Sequence, residues 1–537
     1  MEKIKFASKY FVLFMLIPAG YFILAAGKKW QEKTDKNICL RILSFPFGFI
    51  TILSLFATFL VVNLVEWVKM TCGNVSFSII LLQLTSPIKG TDSGIINSII
   101  KTAVVPPVLI AVAAVLCYLF IVRGMYALED LPVKKIPRWS KICIEVVMVV
   151  FFLHTVQIQG TEIGMWDYIQ SVRESSDFYE KEYVNPTKVK MTFPKEKKNL
   201  IYIFMESMES SYADKEDGGT MDDNYIPNLT KLARENVQFT DKKDGKVGGP
   251  VCLEATAYTA GGLVAQTSAI NLKVMNSGAV SDSFLPNLTA LGDILNKQGY
   301  NQMFLCGSDG DFAGRDAYFK THKDYQIEDY KAAIKEGDIP KDYKVYWGHE
   351  DKVLYERAKK NLKKLSKEDK PFNLTMLTVD THFPNGYICD LCENKYDTTY
   401  GNAVACADRQ VYDFVQWVKK QDFYKDTTII IAGDHTSMVD TGSKFWKSLS
   451  NDYQRTVYNA IINPQCAYKK KVTAKRKFST MDMFPTTLAA LGVEIDGNKL
   501  GLGTNLFSGE ETLREQLGAN YINKELKRND KMYNQFY

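Results

Sequence analysis

The chain is poor in histidine, in net charge and in repeated sequence. Only five of its 537 residues are histidine, and the formal net charge is +5. A net charge this small gives no reason to expect a nucleic-acid partner. The chain also has no internal repeat and no low-complexity segment. It is too long for one ordinary domain, so we expect more than one structural part.

Long apolar runs are concentrated in the first 160 residues, and more polar sequence follows. A transmembrane helix needs roughly 20 mostly apolar residues, and four segments satisfy this. The first has no small-residue cleavage site and is followed by further spans, so we expect a retained helix and not a signal peptide. The predicted spans are about Tyr10 to Ala26, Ile42 to Val65, Ala103 to Val122 and Ile142 to Ile158. Together they predict a membrane domain at residues 1–160.

Basic residues in two loops predict the orientation of these spans. Five lie between Lys28 and Arg41, after the first span, and five lie between Arg123 and Lys141, after the third. Cytoplasmic loops are enriched in Lys and Arg, so we expect both loops in the cytoplasm and the C-terminal part outside the cytoplasmic membrane. Three lysines before the first span point the other way.

The ten cysteines include one C-x-x-C pair, Cys389 and Cys392. A zinc knuckle would need a second pair at suitable spacing, and the sequence has none. A local disulfide is expected if the pair lies in an oxidising compartment. Free thiols are the alternative, and the sequence leaves both open.

Beyond residue 160 the sequence predicts a connector at 161–196, a globular domain at 197–507 and a C-terminal tail at 508–537. Apolar runs alternate with amphipathic stretches in the globular part, which is typical of an α/β domain with a mostly parallel sheet covered on both faces. The predicted strands are Leu200–Met205, Gln302–Leu305, Phe372–Val379 and Thr427–Ala432, and the predicted helices are Pro227–Val237, Pro286–Gln298, Lys352–Leu365, Val404–Lys420 and Met481–Leu491. The tail is expected to form a surface helix or a docking arm.

Two of these strands end in residues that can bind a metal. Glu206 follows the first strand, and Asp434 and His435 follow the Ile-rich strand after Gly433. Ligands bind at the carboxyl edge of open α/β sheets, and carboxylate with imidazole suits a divalent metal. Glu206 has an alternative role as a helix cap. Because Glu209 is close by, one of the two acids can cap while the other binds metal.

Thr259 is the candidate nucleophile. It precedes Ala260, Gly261 and Gly262, and these small residues favour a helix N-terminus that could bind phosphate. A hydroxyl there can attack phosphorus when a metal activates it. A plain N-cap is the structural alternative, and three other hydroxyls compete as nucleophiles on composition alone: Thr256, Thr267 and Ser268.

Two further residues are candidates for binding a phosphate group. Arg315 lies in a Gly-rich loop after the second strand, where it could bind phosphate bidentately; a surface ion pair with Asp309 or Asp316 is the alternative. His382 follows the third strand and could bind a phosphate oxygen or protonate a leaving group. Among the remaining histidines, His322 is expected to be structural.

Four segments, taken in order, resemble the phosphoglycerol transferases of the alkaline phosphatase and sulfatase superfamily, which include lipoteichoic acid synthase and the membrane phosphoglycerol transferase of periplasmic glucans. They are residues 199–207, ending in Glu206-Ser207; residues 258–266, which begin Tyr-Thr-Ala-Gly-Gly; residues 378–382, which contain Asp-Thr-His; and residues 432–435, which read Ala-Gly-Asp-His. The resemblance covers about 197–507 and implies N-terminal transmembrane helices plus an alkaline-phosphatase/sulfatase-like α/β/α sandwich domain.

The resemblance also implies site roles. A divalent metal, usually Mn²⁺ in the family, would be bound by Glu206, Thr259, Asp434 and His435, with Thr259 as nucleophile. Arg315 and His382 would hold the substrate. Two positions depart from the synthase: Cys306 stands where it has His, and Ala313 where it has Trp. The Cys-x-Pro-x-Arg or Ser-x-Pro-x-Arg signature of sulfatases is absent, so sulfatase activity is not expected.

The function implied is a membrane-anchored phosphoglycerol transferase. It would move glycerol phosphate from phosphatidylglycerol, through a phosphothreonine intermediate, to a glycan or polyglycerolphosphate acceptor of the cell envelope. We expect a multi-pass protein of the cytoplasmic membrane with an extracytoplasmic catalytic domain and no nucleic-acid partner. The alternatives are a phosphoethanolamine transferase or phosphodiesterase on the same fold, and an inactive membrane scaffold or lipid-binding protein.

Overall fold

A computed structural model describes residues 46–72, 77–78, 80–81, 93–126, 138–243, 245–273, 283–323, 325–450, 452–469 and 472–537. The chain divides into two compact units. The first comprises Met1–Met70 and Ser93–Met165, and the second comprises Thr71–Asp92 and Trp166–Tyr537. The predicted boundaries at 160, 196 and 507 remain predictions.

The described residues of the first unit are almost all helical. Helix α1 is Pro46–Cys72, α2 is Ser93–Ile99, α3 is Val105–Tyr126 and α4 is Arg138–Glu162; a π-helical turn, Ile100–Val104, joins α2 to α3. A hydrogen bond from the Thr51 hydroxyl to the Glu145 carboxylate, 2.8 Å long, links α1 to α4. This bond gives the buried Glu145 carboxylate a polar partner.

Two of these helical segments are long and apolar enough to cross a membrane, Ile50–Thr71 and Gly94–Leu116. They correspond to the second and third predicted spans. The fourth predicted span lies in α4, which meets the same test only when it is joined to helix α5, Met165–Arg173, as one bent span. The first predicted span lies outside the described residues.

The second unit is built on a six-stranded sheet. Its strands are β1 (Asn199–Met205), β2 (Asn301–Cys306), β3 (Gln326–Glu328), β4 (Phe372–Leu377), β5 (Thr427–Gly433) and β6 (Asn459–Ile462). The order across the sheet is β3-β2-β4-β1-β5-β6. All neighbours are parallel except β5 and β6, which are antiparallel. The chain therefore crosses over the sheet between most successive strands, as helical connections allow.

Successive residues of β1 enter two different hydrophobic cores. Leu200, Tyr202 and Phe204 pack in one, and Ile201, Ile203 and Met205 pack in the other. Side chains alternate between the faces of a strand, so a continuous apolar run buries both faces at once. The strand carries Leu, Ile, Tyr and Phe for this reason, and the sheet forms the middle layer of an α/β/α sandwich.

Helices cover both faces of the sheet. On the face of Tyr202 lie α8 (Thr259–Ser268), α9 (Leu291–Lys297), α10 (Arg315–Thr321) and α14 (Met483–Ala490). On the other face lie α7 (Pro227–Glu235), α12 (Asp351–Leu365) and α13 (Thr399–Lys419). The shorter helices are α6 (Phe178–Glu182), α11 (Tyr330–Lys335), α15 (Leu513–Leu517) and α16 (Ala519–Lys527). The expected fold class, α/β with a mostly parallel sheet covered on both faces, is confirmed.

The C-terminal tail packs against the segment that precedes the sheet. Asn529–Asp530 pairs in parallel with Ser175–Ser176, and the Asp530 carboxylate accepts a hydrogen bond from the Tyr179 backbone N–H, 3.0 Å away. Tyr533 is fully buried. The tail thus completes the hydrophobic core on the α8 face.

The cysteine pairing differs from the local disulfide that the C-x-x-C spacing suggested. Cys392 is bonded to Cys406, whereas the Cys389 sulfur lies 3.6 Å from that of Cys392. Cys406 lies on α13, so the disulfide attaches the loop after β4 to a helix. Spacing along the chain could not reveal this partner, because the fold brings it close.

Candidate functional site

Three neighbouring strands deliver polar residues to one edge of the sheet. β4, β1 and β5 are adjacent and parallel, so their carboxyl ends meet at the same edge. Glu206 follows β1, His382 lies in the loop after β4, and Asp434 and His435 follow β5. All four were predicted to belong to one site.

Glu206 is buried and fixed by its neighbours. Its backbone N–H donates to the Thr378 hydroxyl at 2.9 Å, and its Oε1 accepts from the Ser207 hydroxyl at 2.7 Å. Oε2 lies 3.3 Å from Thr259 Oγ1. Ser207 has a φ of +51°, a backbone conformation that non-glycine residues rarely adopt and that is found at functional sites. The turn after β1 therefore aims the carboxylate at Thr259.

The Asp434 carboxylate has one oxygen that accepts hydrogen bonds, and a second, Oδ2, that accepts none from the described residues and lies 3.5 Å from His435 Nε2. Oδ1 accepts from the backbone N–H groups of Ser207, at 2.8 Å, and His435, at 2.7 Å. Oδ2 has no hydrogen-bond partner among the described residues, although the side chain is fully buried. Buried polar atoms are almost always satisfied, so this oxygen indicates a place for a bound group.

His435 presents one ring nitrogen to the same point. Its Nδ1 lies 2.8 Å from the Thr436 carbonyl oxygen. A carbonyl only accepts, so Nδ1 carries the hydrogen, and Nε2 of the neutral ring keeps a free lone pair. Nε2 lies 3.4 Å from Thr259 Oγ1 and 3.4 Å from Glu206 Oε1. An imidazole oriented through its other nitrogen in this way is typical of metal ligands.

Thr259 is the first residue of α8, and the helix packs closely on the β5 loop. The Gln266 side-chain amide donates to the Gly433 carbonyl oxygen at 2.9 Å. Gly262 lies so close to Asp434 that a side chain there would overlap its backbone. The helix N-terminus expected after Tyr258 is confirmed, and it holds the hydroxyl beside Glu206 and His435.

The three rival hydroxyls have other partners in the core. Thr256 is fully buried and bonded to the Leu253 backbone. Thr267 donates to the Leu263 carbonyl oxygen at 2.6 Å, and Ser268 is bonded to the Tyr318 hydroxyl. Of the four candidates, Thr259 is the one that contacts the carboxylate and imidazole of the site.

Glu206, Asp434 and His435 can together hold a metal ion. One ligand atom from each lies within 4.8 Å of the others. Burial and repulsion by Glu206 raise the pKa of Asp434, and a positive charge between the two carboxylates would relieve that repulsion. Burial would lower the pKa of His435, but the carboxylates of Asp434 and Glu206 raise it above the usual range. Proton and cation would thus compete for the same place, and the ligand set fits a divalent metal.

Glu209, the other acid after β1, has a different role. It is fully buried, and the Arg455 guanidinium binds both of its carboxylate oxygens. Its Oε1 also accepts from the Ser437 backbone N–H at 2.7 Å. Glu209 and Arg455 therefore fix the segment that follows His435. This resolves which of the two acids faces the candidate metal site.

Arg315 is a buried cation bonded to neutral groups. Its guanidinium donates to the carbonyl oxygens of Phe312, at 3.0 Å, and Asp309, at 2.8 Å, and to the Ser308 hydroxyl, at 3.0 Å. Among the described residues it makes no ion pair, because Asp309 pairs with Lys331 and Asp316 with Lys320. The surface ion pair considered from the sequence is therefore not formed. A buried Arg whose charge is not neutralised suits an anionic ligand.

His382 interacts electrostatically with residues of the candidate metal site and with Arg315. Burial lowers its pKa; the charge of Glu206 raises it, whereas His435 and Arg315 lower it further. Its Nδ1 lies 2.8 Å from the Phe383 carbonyl oxygen, so Nδ1 carries the hydrogen and Nε2 is left for a ligand. His382 is thus within electrostatic reach of Glu206, His435 and Arg315.

Sequence reasoning missed the aromatic residues beside His382. Trp347 lies with its ring 4.6 Å from that of His382 and 5.2 Å from that of Phe312. The Tyr346 hydroxyl donates to the carbonyl oxygens of His382 and Phe383. Both residues come from the loop between α11 and α12, and no motif marks them. Two adjacent aromatic residues in a loop were the available signal.

The other two described histidines of this unit are buried and hydrogen-bonded to residues that are not proposed for the site. His322 is buried, with Nδ1 2.8 Å from Asp293 Oδ2, which agrees with its expected structural role. His349 is fully buried, and its Nδ1 donates to the Glu350 carbonyl oxygen at 3.2 Å. Neither contributes a ligand atom to the cluster of Glu206, Asp434 and His435.

Curated proteins match about three fifths of the chain. Phosphoglycerol transferase I from Salmonella choleraesuis is 32% identical over 340 residues, covering 61% of this chain and 41% of that protein. The protein of the same name from Escherichia coli O6:K15:H31 matches to the same extent. The chain thus spans about two fifths of the length of the curated relatives it matches.

Solved structures that resemble this one include the lipoteichoic acid synthase LtaP from Listeria monocytogenes. It is 19% identical, with a TM-score of 0.47 over 60% of this chain and 79% of that chain. The lipooligosaccharide phosphoethanolamine transferase A from Neisseria meningitidis is 14% identical, with a TM-score of 0.47 over 90% of this chain and 95% of that chain. The sulfatase family model matches residues 198–493, more than half of the sequence. Its strand-end acids, the threonine at the start of α8 and its α/β/α sandwich all lie inside that match, and the chain belongs to the sulfatase family of the alkaline phosphatase and sulfatase superfamily.

Proposed function

We propose that this protein is a membrane-anchored, metal-dependent phosphoglycerol transferase. The observation that carries the proposal is the position of Thr259, whose hydroxyl oxygen lies 3.3 Å from Glu206 Oε2 and 3.4 Å from His435 Nε2. A hydroxyl next to a carboxylate and an imidazole, at a helix N-terminus, suits nucleophilic attack on phosphorus.

The first step would transfer a phosphoglyceryl group to Thr259. Its oxygen attacks the phosphorus of phosphatidylglycerol, the P–O bond to diacylglycerol breaks, and one proton passes from the threonine hydroxyl to the departing oxygen. In the second step an acceptor hydroxyl attacks phosphorus, the bond to Thr259 breaks, and the proton of the acceptor hydroxyl passes to the Thr259 oxygen. Two displacements on one residue separate lipid release from acceptor attack.

Glu206, Asp434 and His435, together with Thr259, are the residues that would hold a divalent metal, and Mn²⁺ is the metal we propose. Such a cation would lower the pKa of the threonine hydroxyl and offset the negative charge that develops on phosphorus. Support comes from the partnerless Asp434 Oδ2 and from the crowding of two buried carboxylates.

Arg315 and His382 would hold the transferred group. The Arg315 guanidinium is buried without an ion pair among the described residues, so a phosphodiester anion would supply its missing counter-charge. The same anion would favour the protonated form of His382, in which Nε2 can donate to a phosphate oxygen. Together they would orient phosphorus toward Thr259.

The location follows from the helices and from the donor. We propose a protein of the cytoplasmic membrane whose catalytic unit is extracytoplasmic, as the basic loops predict. A lipid donor favours an anchored enzyme, because anchoring raises the effective concentration of the donor at the site. The acceptor we propose is an envelope glycan or a polyglycerolphosphate chain.

The test uses the full chain purified in detergent with fluorescent phosphatidylglycerol and Mn²⁺, and follows release of labelled diacylglycerol. We expect metal-dependent release by the parent protein and none by Thr259→Ala. Ser268→Ala is the matched control, because this buried rival hydroxyl contacts Tyr318 and not the site, and it should keep release. Full activity in a folded, metal-binding Thr259→Ala protein would exclude Thr259 as nucleophile.

The remaining outcomes distinguish the alternatives. Release of diacylglycerol from phosphatidylethanolamine but not from phosphatidylglycerol would favour a phosphoethanolamine transferase. Release that leaves free glycerol phosphate, whatever hydroxyl acceptor is added, would favour a phosphodiesterase. A protein that neither binds Mn²⁺ nor releases lipid would be a scaffold or a lipid-binding protein.

A further inference from the structure

We infer that Trp347 determines the head-group specificity of this site by donating its indole N–H to a hydroxyl of the glycerol head group. The inference rests on the proposed function and extends it to a residue that no motif identifies. It depends on three observations: an unsatisfied N–H, the neighbours of the ring, and the way the ring is fixed.

The indole N–H of Trp347 is buried without a partner. The side chain is 5% exposed, and Nε1 has no hydrogen-bond partner among the described residues. Buried tryptophans usually pair this group. A bound molecule with a lone pair would satisfy it, because the indole nitrogen can only donate.

The ring lies among the residues proposed to hold the donor. Its centroid is 4.6 Å from the His382 ring and 5.2 Å from the Phe312 ring. The Arg315 guanidinium in turn lies over the Phe312 ring, 5.4 Å from its centroid. Trp347 therefore borders the place where the phosphate group would be held, on the side of His382 and Phe312.

The backbone around Trp347 is tightly constrained. Val345 and Gly348 exchange two backbone hydrogen bonds of 2.8 and 2.9 Å, which closes a turn with Tyr346 at a φ of +53°. A Cβ on Gly348 would lie 2.1 Å from the Gly307 carbonyl oxygen. The turn is thus held directly against the loop that carries Arg315.

The turn is also attached to the loop that carries His382. The Tyr346 hydroxyl donates to the His382 carbonyl oxygen, and its ring stacks on that of Tyr387, 5.9 Å away. Trp347 is therefore held between the two loops proposed to bind the phosphodiester. A fixed donor of this kind can select a ligand without the cost of ordering a flexible side chain.

The Arg315 loop itself offers little to a head-group hydroxyl at the two positions where the chain departs from lipoteichoic acid synthase. Ala313 has no polar side-chain atom, and the Cys306 thiol is buried and directed at the Ser308 carbonyl oxygen, 3.4 Å away. Trp347 supplies an aromatic donor from a different segment. A hydroxyl can accept from it, whereas the ammonium group of ethanolamine has no lone pair to accept.

A second buried tryptophan also has an unpaired indole N–H, but the residues around its ring are not proposed to bind the donor. Trp446 also has a partnerless Nε1 among the described residues, but its ring lies under the Arg455 guanidinium, 4.6 Å away. Arg455 is bound to Glu209, and neither residue is proposed to touch the donor. Trp446 is therefore a matched control for removing an indole N–H.

The experiment compares diacylglycerol release from phosphatidylglycerol and from phosphatidylethanol, which has the same phosphodiester charge and no hydroxyl. Trp347→Phe keeps an aromatic ring and removes the N–H. We expect it to lower kcat/KM for phosphatidylglycerol about tenfold, as loss of one hydrogen bond to a neutral group predicts, with little effect on phosphatidylethanol. Trp446→Phe should leave the ratio of the two donors as it is in the parent protein.

The outcomes separate the two proposals. An unchanged donor ratio in Trp347→Phe, with release still dependent on Thr259, overturns the role of Trp347 and leaves the proposed function standing. Release from neither donor by the parent protein overturns both. If Trp347→Phe does not fold, inhibition of the parent protein decides: glycerol 1-phosphate should inhibit more tightly than ethyl phosphate, and equal inhibition overturns the inference.

Discussion

Gly262 and Asp434 are in backbone contact: a Cβ on Gly262 would stand 2.2 Å from the Asp434 carbonyl oxygen. This contact brings helix α8, with Thr259 at its start, against the loop that carries Asp434 and His435. A Cβ so close to a backbone atom forces the two elements apart. The distance between the nucleophile and the candidate metal ligands therefore depends on a glycine.

We expect Gly262→Ala to lower phosphotransfer about a hundredfold, because a displacement of about 1 Å at a reacting group has that effect. Release of labelled diacylglycerol measures it. Gly442→Ala is the control, since its Cβ would meet only the Asp440 side chain at 3.4 Å. Wild-type activity in a folded Gly262→Ala protein would show that the contact does not position Thr259.

The variants Glu206→Gln and Glu209→Gln should show which of the two acids binds the metal and which one stabilises the fold. Glu206 faces the partnerless oxygen of Asp434 across the candidate metal site, whereas Glu209 is bound by Arg455. We expect Glu206→Gln to lose Mn²⁺ binding in calorimetry and Glu209→Gln to retain it. The second variant should instead lower the melting temperature, because it leaves the partly buried Arg455 charge without its partner. Retained binding in Glu206→Gln would exclude it as a ligand.

Oxidised protein should contain a Cys392–Cys406 disulfide and a free thiol at Cys389, which is buried and should be alkylated only after the protein is unfolded. Peptide mapping without reduction measures both at once. Because the bond closes a loop of 14 residues, reduction should cost about 3 kcal/mol of stability. A disulfide found between Cys389 and Cys392 would contradict this pairing and would support the local disulfide that the C-x-x-C spacing suggested.

His349 should make the protein less stable in acid. Burial lowers its pKa to about 4; the Glu350 carbonyl, Glu350 and Asp329 raise it, and Arg357 lowers it. The unfolded chain binds this proton at an ordinary pKa of 6.5, so stability is lost as pH falls from there toward 4. At pH 4.5 the loss is about 2–3 kcal/mol.

His349→Asn removes that titration and keeps a side-chain N–H for the Glu350 carbonyl. Melting temperatures of parent and variant, measured from pH 8 to pH 4.5, should converge or cross in favour of the variant as pH falls. The difference at pH 8 provides the reference, because both proteins are uncharged at this position there. A constant difference across the range would show that His349 titrates normally when folded.

The central strands could be predicted because their sequences face two cores. Ile429 and Ile431 pack on one side of the sheet and Ile430 on the other, so the run is apolar throughout and its end at Gly433 is clear. β3 and β6 were missed. They have three and four residues, too few for periodicity to separate from a loop.

The strand-end residues could be predicted, whereas their division of labour could not. Glu206 and Glu209 are equivalent by sequence, and only Arg455, 246 positions away from Glu209, distinguishes them. Trp347 was missed for a similar reason, because its contact with His382 exists only in the folded chain. Motifs identified the chemistry at strand ends, and the surroundings that give each group its role come from distant segments.

The two oxygens of the Asp434 carboxylate can be separated experimentally. An Asn at this position retains an acceptor for the Ser207 and His435 N–H groups and places an amide where the partnerless oxygen was. Asp434→Asn should therefore yield a folded protein that cannot hold the cation and cannot turn over. Such a stalled form would allow a donor lipid to be captured intact beside Thr259 for crystallography or cryo-electron microscopy.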